Sequence, residues 1–276
     1  MTIGIAWVGK KKDGRSNLYI ASDSRTRGGR VIDVCPKILT LPRSDCAICF
    51  AGDTAATYPL MLQLANAIEV HSPARERALD IRTLKPHILR VFTDIVNGVK
   101  DSTVAIEPSD VQFLFCGYSW LSKSFEIWTI YYSEKQKKFA ARPAQSFHSL
   151  MEQVAFIGDV AKDARSKLVR QLNGVSSSDQ ENLEFEPFKI IRDMLRESTI
   201  HSSIGGPPQL VKISEHMNTK ILGVKWNVDG EEQVTIMGRK VFDYENTDNH
   251  TIDPDSFQIL RPRSFGLREK VVETTE

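Results

Sequence analysis

The sequence predicts an α+β fold, a four-layer αββα sandwich with two antiparallel sheets between helix layers. Three observations predict it. Short apolar runs bounded by turn residues come in blocks, separated by longer amphipathic stretches, in the order strands, helices, strands, helices, strands. Two helical stretches fall between the first and second strand groups, and two more between the second and third. The 276 residues allow one large domain or two ordinary ones. The pattern favours one layered domain over residues 1–244, with a polar tail over residues 245–276.

Thr2 to Val8 is an apolar run that reads as a buried strand. Gly9 to Gly14 is a polar turn containing Asp13-Gly14, and Asn17 to Ser22 returns as a second strand, forming a hairpin. Lys10, Lys11 and Lys12 in that turn carry no interleaved aromatics and read as solvated charge. Val31 to Cys35 and Leu39 to Leu41 continue the sheet, and Cys46 to Gly52 is an apolar strand ending in glycine. Asp53 or Thr54 caps the next helix, Thr54 to His71, whose Leu60, Met61, Leu64, Ala65 and Ile68 share one face. A second helix spans Asp80 to Val99, interrupted or restarted at Pro86.

Phe113 to Tyr118 and Phe125 to Tyr131 form a central hairpin, and Ala155 to Gly158 is the strand entering a third helix, Asp159 to Leu172. A serine-rich loop, Asn173 to Asn182, leads to a fourth helix, Pro187 to Glu197. Thr219 to Asn227 and Gln233 to Met237 form a closing hairpin around Asp229-Gly230. In the tail, Arg261 to Arg263 and Arg268 to Lys270 read as solvated charge.

Bulk properties exclude several classes. With 36 basic and 35 acidic residues the net charge is +1, which gives no electrostatic case for nucleic acid or a membrane surface. No apolar run reaches the ~18–20 residues of a membrane span, and the first residues do not form a secretory signal. Cys35, Cys46, Cys49 and Cys116 lie mostly in apolar strand-like segments. Cys46 and Cys49 share one strand and lack a second ligand pair, so buried free thiols are expected in a reducing, cytoplasmic setting. The six histidines show no close metal-ligand spacing. No metal or cofactor is expected.

The candidate chemistry begins at Thr2, directly behind Met1. Removal of Met1 leaves one residue with a hydroxyl and a free α-amine, whose pKa of about 7.7–8.0 makes it a usable base near neutral pH. That is the logic of an N-terminal threonine nucleophile. Antiparallel pairing brings Asp23 and Lys37 back beside Thr2. A lysine there favours the neutral amine and stabilises a developing alkoxide, and an aspartate orients the lysine. Gly52 permits close backbone approach, and its N–H is a candidate oxyanion donor.

With these residues in place, the chain resembles the proteasome β-subunit family of N-terminal nucleophile (Ntn) hydrolases, in its bacterial proteasome-like branch. The resemblance spans roughly residues 2–240. It rests on Thr2-Ile-Gly-Ile5, Leu18 to Thr26 with its Ser-Asp-Ser-Arg core, Pro36-Lys-Ile-Leu39, Cys49-Phe-Ala-Gly-Asp-Thr-Ala-Ala56, the hairpin around Phe113 and Phe125, Ala155-Phe-Ile-Gly158 and Ser203-Ile-Gly-Gly-Pro-Pro208. It implies Thr2 as nucleophile and base, Asp23 and Lys37 as its charged support, the Gly52 N–H as oxyanion donor and Arg25 as a structural brace. It also implies a specificity pocket shaped by Phe50, with Thr54 as a second substrate-binding residue. The family's serine after the third helix's glycine is replaced by Asp159, read as a helix cap with a polar role near the nucleophile as the alternative. The family's late aspartate is missing from Ser198 to Ser203, where Ser202 or Ser203 takes the serine's place.

The activity implied is hydrolysis of peptide or amide bonds through an acyl-enzyme. Expected partners are a peptide or protein substrate, further copies of the chain in a homo-oligomeric ring or spiral, and an unfolding ATPase. Two alternatives stay open: a non-catalytic structural member of such an assembly, and an Ntn amidase acting on a small molecule.

Overall fold

The structure is a computed structural model that describes residues 2–10, 14–27, 30–99, 108–175 and 180–261. Met1, Lys11, Lys12, residues 176–179 of the serine-rich loop and residues 262–276 of the tail, with Arg263 and Arg268 to Lys270, lie outside the described residues.

The chain opens with β1 (Ile3–Lys10), β2 (Ser16–Ser22), β3 (Thr26–Arg27), β4 (Val31–Ile32), β5 (Ile38–Thr40) and β6 (Cys46–Ala51). Three helices follow, α1 (Thr54–Glu69), α2 (Ser72–Arg75) and α3 (Ile81–Asn97). The next strands are β7 (Gln112–Ser119), β8 (Ser124–Ser133), β9 (Lys138–Pro143), β10 (Ser146–His148) and β11 (Met151–Gly158), ahead of α4 (Ala161–Asn173) and α5 (Glu186–Arg196). The chain continues through β12 (Gln209–Ser214), β13 (Thr219–Val228), β14 (Glu231–Ile236), β15 (Arg239–Lys240), β16 (Thr251–Ile252) and β17 (Ile259–Leu260).

The helix boundaries follow from local chemistry. The Asp53 carboxylate accepts from the Ala55 N–H and caps α1, and Asp80 caps α3 through the Arg82 N–H. Pro86 neither interrupts nor restarts α3, which runs through it unbroken as one element. The Asp229-Gly230 turn has φ of 54° and 90°, the doubly positive geometry of a type I′ hairpin, so Asp-Gly is the right pair there.

The expectation of two antiparallel sheets in a four-layer sandwich is corrected. Strand predominates over helix, 38% against 28%, and the described residues form three sheets with five α-helices. A ten-stranded sheet has the order β10-β11-β1-β2-β12-β13-β14-β15, with β16 pairing β13 and β17 pairing β16. It is not purely antiparallel, because β16 runs parallel to β13. A five-stranded sheet runs β5-β6-β7-β8-β9, and β3 and β4 make a small ribbon of their own. The physical reason is local. Two-residue strands such as β3, β16 and β17 are too short to show a period of two, so segments read as turn or tail become sheet.

Three apolar clusters hold these elements together. One joins β1 and β2 to α4 and α5, through Ile5, Trp7, Leu168, Phe188 and Ile191. A second joins β6 and β7 to α1 and α3, through Ile48, Phe50, Leu64, Leu84 and Phe113. The third draws on both large sheets, through Leu18, Ile20, Cys49, Leu114, Ile157 and Val211. Each such fully buried side chain contributes roughly 1.5–3 kcal/mol. These clusters fix the strand ends on which the polar residues described next depend.

Candidate active site

Strand register places the site. β1 lies between β2 and β11, with Gly4 opposite Ser22 and Ile3 opposite Gly158. One step past each strand end therefore sets Thr2, Asp23 and Asp159 side by side. Lys37 arrives from the five-stranded sheet, one residue ahead of β5, where the Phe50 N–H donates to its carbonyl at 3.1 Å.

Lys37 Nζ donates to Thr2 Oγ1 at 2.7 Å and to Asp23 Oδ1 at 2.8 Å. The Asp23 carboxylate also accepts from the N–H groups of Ile3 (3.1 Å), Arg25 (3.1 Å) and Gly205 (3.3 Å). Thr2 is 1% exposed, and Asp23 and Lys37 are fully buried. Burial pushes the Asp23 carboxyl above its ordinary value of 3.8, while the Lys37 ammonium and the Ile3 and Arg25 N–H groups pull it back down.

Thr2 is also held at its backbone. Its N–H donates to Asp159 Oδ2 at 2.9 Å, and its carbonyl accepts from the Asp159 N–H at 3.1 Å. Gly158 makes this approach possible, because at its φ of 100° a Cβ would stand 1.9 Å from the Thr2 carbonyl oxygen. The expectation that Asp159 caps the helix is corrected: Val160 is the N-cap of α4 and makes no side-chain cap bond.

The other expected residues divide. Arg25 is a brace: its guanidinium grips Asp33 in a bidentate ion pair at 2.6 and 2.8 Å and donates to the carbonyls of Thr199 and Ser202. Ser202 Oγ accepts from the Thr199 N–H, so it closes its own turn. Ser203 is half-buried just ahead of Ile204 and Gly205, the latter being the donor to Asp23. Gly52 has φ of 120°, and a Cβ there would sit 2.3 Å from the Asp110 carbonyl oxygen, so only glycine fits. Thr54 is half-buried as the first residue of α1. Phe50 is wholly buried, packed edge-on against Tyr58 in the cluster with α1 and α3.

Gln209 is a residue that sequence reasoning missed. Its Oε1 accepts from the Lys37 N–H at 2.9 Å, and its Nε2 donates to the Cys35 carbonyl at 2.7 Å and Ser24 Oγ at 2.9 Å. One buried amide thus ties the Lys37 loop to the loop behind Asp23. The available signal was a glutamine directly after Gly-Gly-Pro-Pro at the head of an apolar strand.

The buried thiols are a separate matter. Burial pushes Cys49 up to about 12 and raises Cys46 and Cys116 as well, which keeps all three protonated near neutral pH. Among the described residues no group of three or more His, Cys, Asp or Glu is arranged to hold a metal ion. Two sizeable cavities lie elsewhere, about 730 Å³ along α3 and β9, and about 1160 Å³ beside β14 and residues 240–247.

The chain matches no protein-family model and no characterised protein by sequence. No described helix is long and apolar enough to cross a membrane.

Proposed function

We propose that this chain is an N-terminal threonine hydrolase of the proteasome-like kind, cleaving peptide or amide bonds once residue 1 is removed. The observation that carries the reading is the Lys37 ammonium, bonded to the Thr2 hydroxyl at 2.7 Å and to Asp23 at 2.8 Å in a fully buried cluster. A buried ion pair is a weak source of stability. One aimed at a hydroxyl has a chemical use.

The mechanism follows from which group can accept a proton. Lys37 donates to a carboxylate, and the ammonium that balances this charge has no lone pair to offer. The Thr2 nitrogen is an amide while residue 1 is attached, and an amide lone pair is delocalised into its carbonyl. Freed as an α-amine, the same nitrogen becomes a base on the residue that bears the nucleophile.

Thr2 Oγ then attacks the substrate carbonyl carbon while its proton passes to the α-amine. The Gly52 N–H and the Lys37 ammonium are the candidates to balance the negative charge that develops. Collapse breaks the C–N bond, and the proton leaves with the departing amine. Water adds to the resulting ester, releasing the acid and restoring the hydroxyl. Thr2 is 1% exposed with residue 1 in place, so processing also has to open a path to the hydroxyl. Expected substrates are peptides or proteins, and expected partners are further copies of the chain and an unfolding ATPase.

The test is intact mass before and after incubation with a peptide epoxyketone, whose ring adduct needs both a free α-amine and a neighbouring hydroxyl. Loss of residue 1 plus one adduct, absent in Thr2→Ala, is expected. A protein that lacks residue 1, keeps its fold and forms no adduct would end the nucleophile reading.

A further inference from the structure

The geometry points to Asp159 as a positioning residue that holds the freed Thr2 α-ammonium and raises the pH at which this amine gives up its proton. The inference rests on the reading of Thr2 as nucleophile but concerns a different atom, the nitrogen. Oδ2 of Asp159 lies 2.9 Å from that nitrogen, and the Asp159 N–H returns a bond to the Thr2 carbonyl at 3.1 Å. The helix does not account for the aspartate, since α4 starts at a Val160 N-cap without it. The glycine before it carries no Cβ to clash with the Thr2 carbonyl, which lets the two strand ends touch.

Among the described residues, charged groups from three neighbouring elements face Thr2. Lys37, ahead of β5, donates to its hydroxyl; Asp23, after β2, accepts from the adjoining Ile3 N–H; Asp159, after β11, takes the Thr2 nitrogen itself. The lysine favours a neutral amine. The Asp159 carboxylate favours the ammonium, and so stabilises the charge that appears when the amine accepts the hydroxyl proton. In return, less of the amine is free at neutral pH, and the rate should climb into the alkaline range. Asp159 is itself solvent-exposed, so its effect is screened and salt-sensitive.

The experiment uses full-length protein produced behind a cleavable leader, so that Thr2 is its first residue, in wild-type and Asp159→Asn forms. Nitrogen-15-labelled threonine allows the α-amine to be titrated by NMR, while epoxyketone adduct formation is followed over the same pH range. Asparagine keeps the acceptor oxygen and removes the charge. The expected result is an amine pKa lower by about one unit in the variant. The rising limb of the adduct rate should move down by the same amount, and both differences should shrink at about 1 M salt. Asp159→Ser, which also keeps an oxygen without charge, serves if the asparagine variant does not fold.

An amine pKa equal in both proteins would overturn the proposal, leaving Asp159 only a steric role. A lowered pKa with no adduct in either protein would support the hold on the amine while removing the nucleophile reading. The two ideas therefore fail separately.

Discussion

At the scale of single residues, burial of an ion pair does not by itself mark chemistry, and this protein contains the control. Arg43 and Asp45 form a pair as deeply buried as Lys37 and Asp23, with both side chains inaccessible. The Arg43 guanidinium is a brace: it grips Asp45 through Nε and Nη2 and donates to the carbonyls of Ala74 and Leu79. Lys37 differs in what its ammonium bonds besides the aspartate, which is a hydroxyl rather than a structural carbonyl. Removing it therefore has two separable consequences. Lys37→Ala should slow epoxyketone capture at least ~10²-fold, by loss of the group that stabilises charge on Oγ. It should also lower stability by about 3–5 kcal/mol, because Asp23 is left buried without its partner. Parallel urea unfolding and adduct kinetics measure both, and capture at near wild-type rate would remove Lys37 from the chemistry. The matching change at the brace, Asp45→Asn, should destabilise the fold yet leave capture by the surviving folded protein unchanged.

At the scale of elements, the site is a product of where strands stop. β1, β2 and β11 end in register, and the residue beyond each end supplies Thr2, Asp23 or Asp159. Gly158 is the point on which this convergence depends. Gly158→Ala would force a side chain onto a backbone with φ of 100° and into the Thr2 carbonyl. The strain alone is of order 1–3 kcal/mol. Thermal unfolding should fall accordingly, and adduct formation should drop more steeply than stability, since the nearest way to relieve the clash is to move Thr2; an alanine variant with wild-type capture would show that the strand end is not critical. Much of this was legible in the sequence, because apolar runs with sharp ends, Asp-Gly turns and helix caps are local signals. What was hidden had no local signal strong enough to assign a partner or a direction. Both faces of β6 are buried, with Cys49 in one cluster and Phe50 in another, so alternation could not say which way Phe50 points. Gln209 reads as a stray polar residue until its partners arrive from loops distant in sequence. Val31 and Ile32 look like core strand but are exposed on the small β3–β4 ribbon, 39% and 46%.

At the scale of the whole molecule, the segment after residue 244 is partly a strap closing the ten-stranded sheet. Ile252 is fully buried in β16 against β13, and Phe257 stacks on Phe185. The strap is pinned electrostatically to α5. Arg196 takes both oxygens of Asp255, at 2.7 and 2.8 Å, and Arg192 donates to the Pro254 carbonyl at 2.7 Å. The Arg196 guanidinium holds the Asp255 carboxyl below its ordinary 3.8, and the Ser256 and Asp255 N–H groups do the same for Asp253. For carboxyls depressed on folding, the stabilising contribution is complete above the unfolded value of 3.8 and is lost as the pH falls through the lower, folded value. Asp255 is well exposed, so solvent screens the pair and its worth at neutral pH is at most about 1 kcal/mol. Asp255→Asn should therefore be slightly less stable than wild type in urea at neutral pH. That gap should close well below 3.8, where the wild-type carboxyl is protonated too, and it should narrow at about 1 M salt. A gap that persisted unchanged into acid would mean that Asp255 holds the strap by shape or backbone bonding rather than by charge.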